Sequence, residues 1–335
     1  MRMRTLGGTS VSAIGLGCMN LDHAYGPATN EEDGARLLLT ALDLGCNFLD
    51  TATLYGAGRN EERIGRVLGK HRSRFILASK CGMAIIPVDG KLQRVIDGRP
   101  STLRRQCEES LTRLKTDCID LYYLHRWDKT VPIEESVGAL ADLVAAGKIR
   151  HIGLSEVSAA TLRRAHKVHP IAALQTEYSL WTRNPEIAVL NACRDTGTTF
   201  VAFSPLARAF LSGNLKDVTQ LDAKDIRRAM PRFGGQHMDA NRLLLAPFLE
   251  MARDLACSPS QLALAWLLHK DSHVIPIPGT TKSDHLLENI GALNVELRPH
   301  DMQRLEQMIN SRVVSGPRYD EQASAEVDTE EFAIN

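Results

Sequence analysis

Four residues of the sequence could handle a proton and a charge at one point: Asp50, Tyr55, Lys80 and His125. Asp50 closes the apolar run Asn47-Phe-Leu-Asp, which reads as the end of a buried strand. Tyr55 follows in a loop with Gly56, Gly58 and Asn60, while Lys80 ends Phe75-Ile-Leu-Ala-Ser-Lys and His125 ends Ile119-Asp-Leu-Tyr-Tyr-Leu-His. A phenol of pKa about 10 holds its proton at neutral pH and can give it away. A neighbouring ammonium lowers that pKa and makes the phenol a better acid. A carboxylate pairs with the ammonium and holds it, and an imidazole can donate to a carbonyl oxygen. Reduction of a carbonyl asks for these groups from the protein, with the hydride supplied by a cofactor and no metal required. Each residue also has a plain structural reading: a turn cap, a rim tyrosine, a surface lysine, a core histidine. Lys80 as a Schiff-base amine would instead suit an isomerase or aldolase, although the Tyr and His partners argue against that.

The elements that would position these groups follow one repeating pattern. Residues 1–17 read as a hairpin turned at Gly7-Gly8, with Gly15 and Gly17 marking close backbone approach. A helix capped by Asn30 runs to Gly45, then comes the strand ending at Asp50. Short strands end near Lys80, His125, Ser155, Gln175, Ser204 and Ile277, separated by helices at about 60–68, 101–114, 133–146, after Ser158, and 186–195. Further helices are expected at 241–256, 259–269, 283–292 and 299–310. Residues 18–30, 83–100, 126–131 and 208–238 read as long loops, the last one mobile. Strand then helix, about eight times, predicts a parallel sheet covered by helices. No G-x-G-x-x-G follows the first strand, so a closed (β/α)8 TIM barrel, with an N-terminal β-hairpin and long loops at its C-terminal face, is favoured over an open doubly wound sheet. In such a barrel the active site lies where the strands end. One domain spans 1–335, with a core at about 4–310 and a tail at 311–335.

FLDTATLYG, ILASK and DLYYLHRWD, with GLGCM, GLSE, LQTEYSLW, FSPLARAFLSG and PIPGTTKSDHLLENIGAL, resemble the aldo-keto reductases over nearly the whole chain. The flavour is that of the microbial and plant branch related to potassium-channel β subunits. The resemblance implies NADPH-dependent, reversible reduction of an aldehyde or ketone, with Tyr55 as general acid, Lys80 tuning it, Asp50 holding Lys80 and His125 orienting the carbonyl. A regulatory, redox-sensing subunit that holds its cofactor and turns over poorly is the alternative.

The resemblance also implies a cofactor site. Ser155 and Gln175 would hold the nicotinamide carboxamide, although Glu156 stands where the family has Asn. Phe203 stands where relatives often have a stacking tyrosine, and Ser204, Pro205, Leu206 and the loop to Gly213 would wrap the pyrophosphate. Gly17, Cys18, Met19 and Asp50 would complete that wall. Gly279, Thr281 and Lys282 precede a helix start suited to the adenosine phosphate, and Glu288 and Asn289 would reach the adenine. His285 replaces a common Arg, so NADPH is expected with NADH possible. Met83 and Trp127 join Tyr55 and His125 on the expected substrate wall, with Met19 and Leu54 as further apolar candidates. The tail after Ser315, with Arg318-Tyr319, either folds over the site or stays loose.

With 40 basic and 40 acidic residues, no charge excess points to nucleic acid. No apolar run reaches membrane length, and no signal peptide is apparent. Seven scattered cysteines without C-x-x-C fit a reducing cytoplasm. The expected partner is a small carbonyl substrate; monomer and homo-oligomer both remain open.

Overall fold

The computed structural model describes residues 1–88, 90–215 and 217–332. The strands are β1 (Met3–Leu6), β2 (Thr9–Ser12), β3 (Leu16–Gly17), β4 (Phe48–Asp50), β5 (Ile76–Cys81), β6 (Met83–Val88), β7 (Lys91–Ile96), β8 (Ile119–Leu124), β9 (Ile149–Ser155), β10 (Ile171–Glu177), β11 (Thr199–Phe203) and β12 (Val274–Pro276). Eight of them form one parallel sheet in the order β12-β11-β10-β9-β8-β5-β4-β3. Its two edges meet: Gly15 N donates to Pro276 O at 3.0 Å and Gly17 N to Pro278 O at 3.2 Å. The sheet is thus a (β/α)8 barrel. Closure explains Gly15 and Gly17, since a Cβ on either would lie 2.7 Å from the Phe48 ring or 2.9 Å from Ile277 O.

Strand alternation sorts the side chains into two cores. Phe48, Ala78, Leu121, Tyr123, Ala173, Val201 and Ile275 fill the barrel interior, together with Leu6 and Val11 from the β1–β2 hairpin. That hairpin plugs the end where the strands begin. Leu49, Leu77, Tyr122, Leu174 and Phe200, one residue out of phase, face the surrounding helices instead. Counting in twos from the interior residues toward each strand's end gives Asp50, Lys80, His125, Gln175, Phe203 and Ile277. The period of two therefore carries polar groups from separate strands to one opening, opposite the plug.

Several local expectations are corrected. Residues 83–100 are not a plain loop, because β6 and β7 form an antiparallel ribbon from Met83↔Ile96 to Val88↔Lys91. The sequence Asp89-Gly90 between them is a strong hairpin signal. The next helix starts at Pro100, not after a Ser101 cap. Proline suits the first helical position, and Asp97 accepts from Arg99 N and Thr102 Oγ1. The helix expected over 241–256 is two, Gly235–Arg242 and Leu245–Asp254. Pro247 has no N–H to continue the first, and the Asn241 amide is bonded to Ser315 N and O. The helix expected from Glu186 begins at Val189. Pro185 starts a separate short turn there, and Glu186 is held by Tyr178 and Arg183.

Candidate active site

The structure brings Asp50, Tyr55, Lys80 and His125 together. Lys80 is fully buried and bonds the Asp50 carboxylate, Thr51 O at 2.9 Å and the Tyr55 hydroxyl at 3.2 Å. Gln175 Nε2 donates to the second Asp50 oxygen at 2.7 Å. The His125 ring meets Tyr55 edge-on, with centroids 5.8 Å apart, and His23 stacks on the phenol at 5.9 Å.

Tyr55 reaches this point from a tightly folded loop. Gly56, Ala57 and Gly58 all have positive φ, so the chain reverses within three residues. Asn60 pins the loop from below: it is buried, bonds Thr51 Oγ1 at 2.6 Å, and donates to Cys18 O and Asp22 at 2.9 and 2.7 Å. Arg63 clamps Asp22 in turn. The phenol is thereby fixed to the ends of two strands rather than carried on a free loop.

Burial decides the proton states. It opposes the Lys80 charge, but Asp50 and Tyr55 outweigh it, and the ammonium is raised above its ordinary range. Burial raises the Tyr55 phenol, with Lys80 pulling the other way. The lysine alone would lower that phenol; desolvation wins, so Tyr55 keeps its proton through the neutral range. Burial, then Lys80, pushes His125 well below its usual value. The imidazole is therefore neutral, with one N–H to donate, and its buried Nδ1 has no partner among the described residues. A neutral donor, a protonated phenol and a fixed ammonium can polarise and protonate an oxygen placed between them.

A cavity of about 450 Å³ opens from this cluster. Gly17, Met19, Asp50, Leu54, Tyr55, Met83 and His125 line it. Ser155, Gln175, Phe203, Ser204, Pro205 and Leu206 line it too, as do His285, Glu288, Asn289 and Gly279, which pairs with Gly17. The wall that carries Ser204 fits a diphosphate bridge. Ser204, Ala207, Arg208 and Ala209 all adopt positive φ, at about 1–2 kcal/mol each for residues with a Cβ. Such clustered left-handed residues turn successive amides toward one concavity, which favours an anion. With buried Asn289 also on the lining, the cleft's polar groups fit an extended dinucleotide.

Other expected residues stand off the cleft wall. Cys18 is buried, its amide donating to Asp50 O at 2.8 Å. Gly213 ends a turn at φ 75°, and Thr281 and Lys282 are exposed before the helix Ser283–Gly291. Trp127 is turned away from the cavity: its indole N–H donates to Val131 O at 2.9 Å, and Arg164 lies 5.7 Å over its ring.

The cleft also takes residues, from the long loops and the tail, that are not among the individually expected site residues. Asn20, His23, Ala24 and Tyr25 come from the loop after β3, Arg94 from β7, and Tyr319, Ala323 and Glu326 from the tail. The tail folds over the mouth. Glu156 does not face the cofactor wall; it accepts from Glu177 N and forms a fully buried ion pair with Arg318. Asp328 bonds Ser158 and Thr161, and Lys129 donates to Ala325 O and Val327 O. Segment 208–238 contributes Arg208, paired with Glu177 at 2.8 Å, and Arg227, paired with Asp225 at 2.6 Å. A histidine and a tyrosine just past a strand end, in GLGCMNLDHAY, and Arg318-Tyr319 in the tail are sequence signals for these added walls.

A sequence profile of the aldo/keto reductase family matches residues 13–310. A glycerol dehydrogenase from Gluconobacter oxydans is 27% identical, with 94% of this chain and 97% of that one covered at a TM-score of 0.85. An aldo-keto reductase from Bacillus halodurans, in its holo form, is 29% identical, with 93% and 97% covered at a TM-score of 0.76. An aldo/keto reductase from Klebsiella pneumoniae, in complex with NADP and acetate, is 27% identical, with 95% and 98% covered at 0.72.

Proposed function

Because the chain belongs to the aldo/keto reductase family and is an NAD(P)H-dependent oxidoreductase, we propose that it reduces an aldehyde or ketone to the alcohol at the Tyr55 cluster. NADPH is the cofactor this reading takes, in keeping with the NADP bound by the Klebsiella pneumoniae relative. When bound, a reduced nicotinamide supplies the hydride and becomes oxidised. Tyr55 supplies the proton: its O–H bond breaks as the carbonyl oxygen becomes a hydroxyl. Lys80 stabilises the charge left on the phenol, Asp50 and Thr51 O hold Lys80 in place, and His125 donates to the carbonyl oxygen. In the reverse direction the Tyr55 oxygen takes the proton back. Ser155 and Gln175 would hold the carboxamide, Phe203 would pack on the ring, and the 204–213 segment would hold the diphosphate. Gly279, Thr281 and Lys282 would receive the adenosine phosphate. Seven free cysteines suit a reducing compartment such as the cytoplasm.

The carrying observation is Lys80, fully buried between a carboxylate and a phenol 3.2 Å away. The test is steady-state consumption of NADPH with a panel of aldehydes and ketones, alongside NADPH binding. Turnover that Tyr55→Phe abolishes while binding persists is the expected result. Tight cofactor binding without turnover on any carbonyl would overturn the reading and leave a regulatory subunit.

A further inference from the structure

Four arginines line the cleft: Arg94, Arg126, Arg208 and Arg227. Three are neutralised. Arg94 bonds both Glu326 oxygens at 2.6 and 2.7 Å, Arg208 pairs with Glu177, and Arg227 pairs with Asp225. Lys80 is likewise matched by Asp50. Arg126 differs. It follows His125, is half-buried, and spends Nη1 on His125 O at 2.7 Å and Ser155 Oγ at 3.2 Å. Among the described residues it has no carboxylate within ion-pair distance, and its Nε and Nη2 have no acceptor.

From this we propose that the substrate is a carbonyl compound bearing an anionic group, a carboxylate or a phosphate, which Arg126 grips while His125 and Tyr55 engage the carbonyl. The inference rests on the carbonyl-reducing reading above and adds the substrate's charge. Two bonds through Nη1 orient the guanidinium, so its remaining N–H groups are presented as a fork that matches two oxygens of one anion. A cation partly withdrawn from water and aimed gains more from an anion than a fully exposed arginine would. Its field is felt at the reacting groups. At His125 it adds to burial and Lys80 in holding the ring neutral, and at Tyr55 it joins Lys80 against burial. The carboxylate on the cavity lip, Glu326, is matched by Arg94 and so does not repel an incoming anion. A guanidinium needed only to brace Ser155 and the His125 backbone would serve neutral and charged substrates alike. A guanidinium that grips the substrate would not.

The test uses the full-length protein with NADPH and two matched pairs: butanal against succinic semialdehyde, and glyceraldehyde against glyceraldehyde 3-phosphate. The readout is the ratio of kcat/KM, charged over neutral, in wild type, Arg126→Met and Arg126→Lys. A charge-assisted bond to a substrate oxygen predicts a wild-type ratio of about 10- to 100-fold for at least one pair. That ratio should collapse toward one in Arg126→Met, chiefly through KM, and partly return in Arg126→Lys. The pair that shows it identifies carboxylate or phosphate. Neutral aldehydes reduced as well as charged ones, or equal loss on both in Arg126→Met, would overturn this proposal and leave the carbonyl-reducing reading standing. If neither pair consumes NADPH, both fall. A Kd for NADPH weakened as much as the charged substrate's KM would assign Arg126 to the cofactor and also overturn it.

Discussion

Replacing Lys80 with Met removes the ammonium 3.2 Å from the Tyr55 oxygen and keeps most of the apolar stem. A full charge pair at that distance is worth about 5 kcal/mol at an effective dielectric of about 20. If about half of the charge has developed on the phenol in the transition state, roughly 2.5 kcal/mol of stabilisation is lost, and the chemical step slows by about 10²-fold. Single-turnover reduction by NADPH-loaded protein at saturating aldehyde isolates that step from product release. The same change strands Asp50, which is 2% exposed and left with Gln175 alone. Burial already raises its carboxyl, and Lys80 is the main group opposing this. Removing one partner of a buried pair costs about 3–5 kcal/mol. The sign with pH follows from a folded-state pKa raised above the unfolded value. The variant recovers stability below the ordinary carboxylate pKa and loses it as pH rises through the raised one. Adding Asp50→Asn should return most of the loss in urea unfolding at neutral pH. A single-turnover rate within threefold of wild type, or a stability loss that Asp50→Asn leaves untouched, would refute the reasoning.

Three further outcomes are expected. His125 is held neutral by burial, so its folded pKa lies below its unfolded one, and stability falls as pH drops through about 6.5 toward the folded value. Between pH 7.5 and 5, wild type should lose at least about 1.4 kcal/mol more than His125→Gln, read by urea unfolding at each pH. Arg318→Met leaves Glu156 buried without its cation, so the tail should detach. Limited proteolysis after residue 311 should accelerate and the KM for carbonyl substrate should change, because Tyr319 and Glu326 line the cleft; unchanged proteolysis counts against the buried pair as the anchor. Gly153→Ala puts a Cβ 2.3 Å from the buried Tyr123 ring and should cost about 1–3 kcal/mol or more, whereas Gly138→Ala, in a helix with open space around it, should gain about 1 kcal/mol. Thermal melts of the two variants moving in the same direction would contradict both.

The sequence made legible whatever depends on short spacing. Apolar runs ending in Asp50, Lys80, His125 and Gln175 announced strand ends, and the period of two does the rest, since each of those residues is in phase with the barrel interior. What escaped depends on partners far apart in the chain. Glu156 stands where an amide-holding Asn was expected, and its role became clear only once Arg318, 162 positions on, was seen against it. Arg94 meeting Glu326 and the His23 stack on Tyr55 are contacts of the same kind, and the first, with Arg318, decides between the two placements the sequence left for the tail. Trp127 shows the converse: nearness to His125 suggested a substrate wall, but Trp127 lies beyond the end of β8, where alternation no longer sets direction, and its indole is held by Val131 O and Arg164. The ribbon at 83–96 is expected as a loop, although Asp89-Gly90 stands in the sequence between two runs rich in apolar residues, a local hairpin signal.

The two termini are unequal as places to attach anything. Met1 is exposed beside the hairpin that stoppers the barrel, on the side remote from the chemistry, whereas the last described residues are laced across the opening by Lys129, Ser158 and Asn184. A purification tag, a surface linker or a fused reporter therefore belongs at the amino end. At the carboxyl end the same cargo would hang in the doorway and pull on the latch.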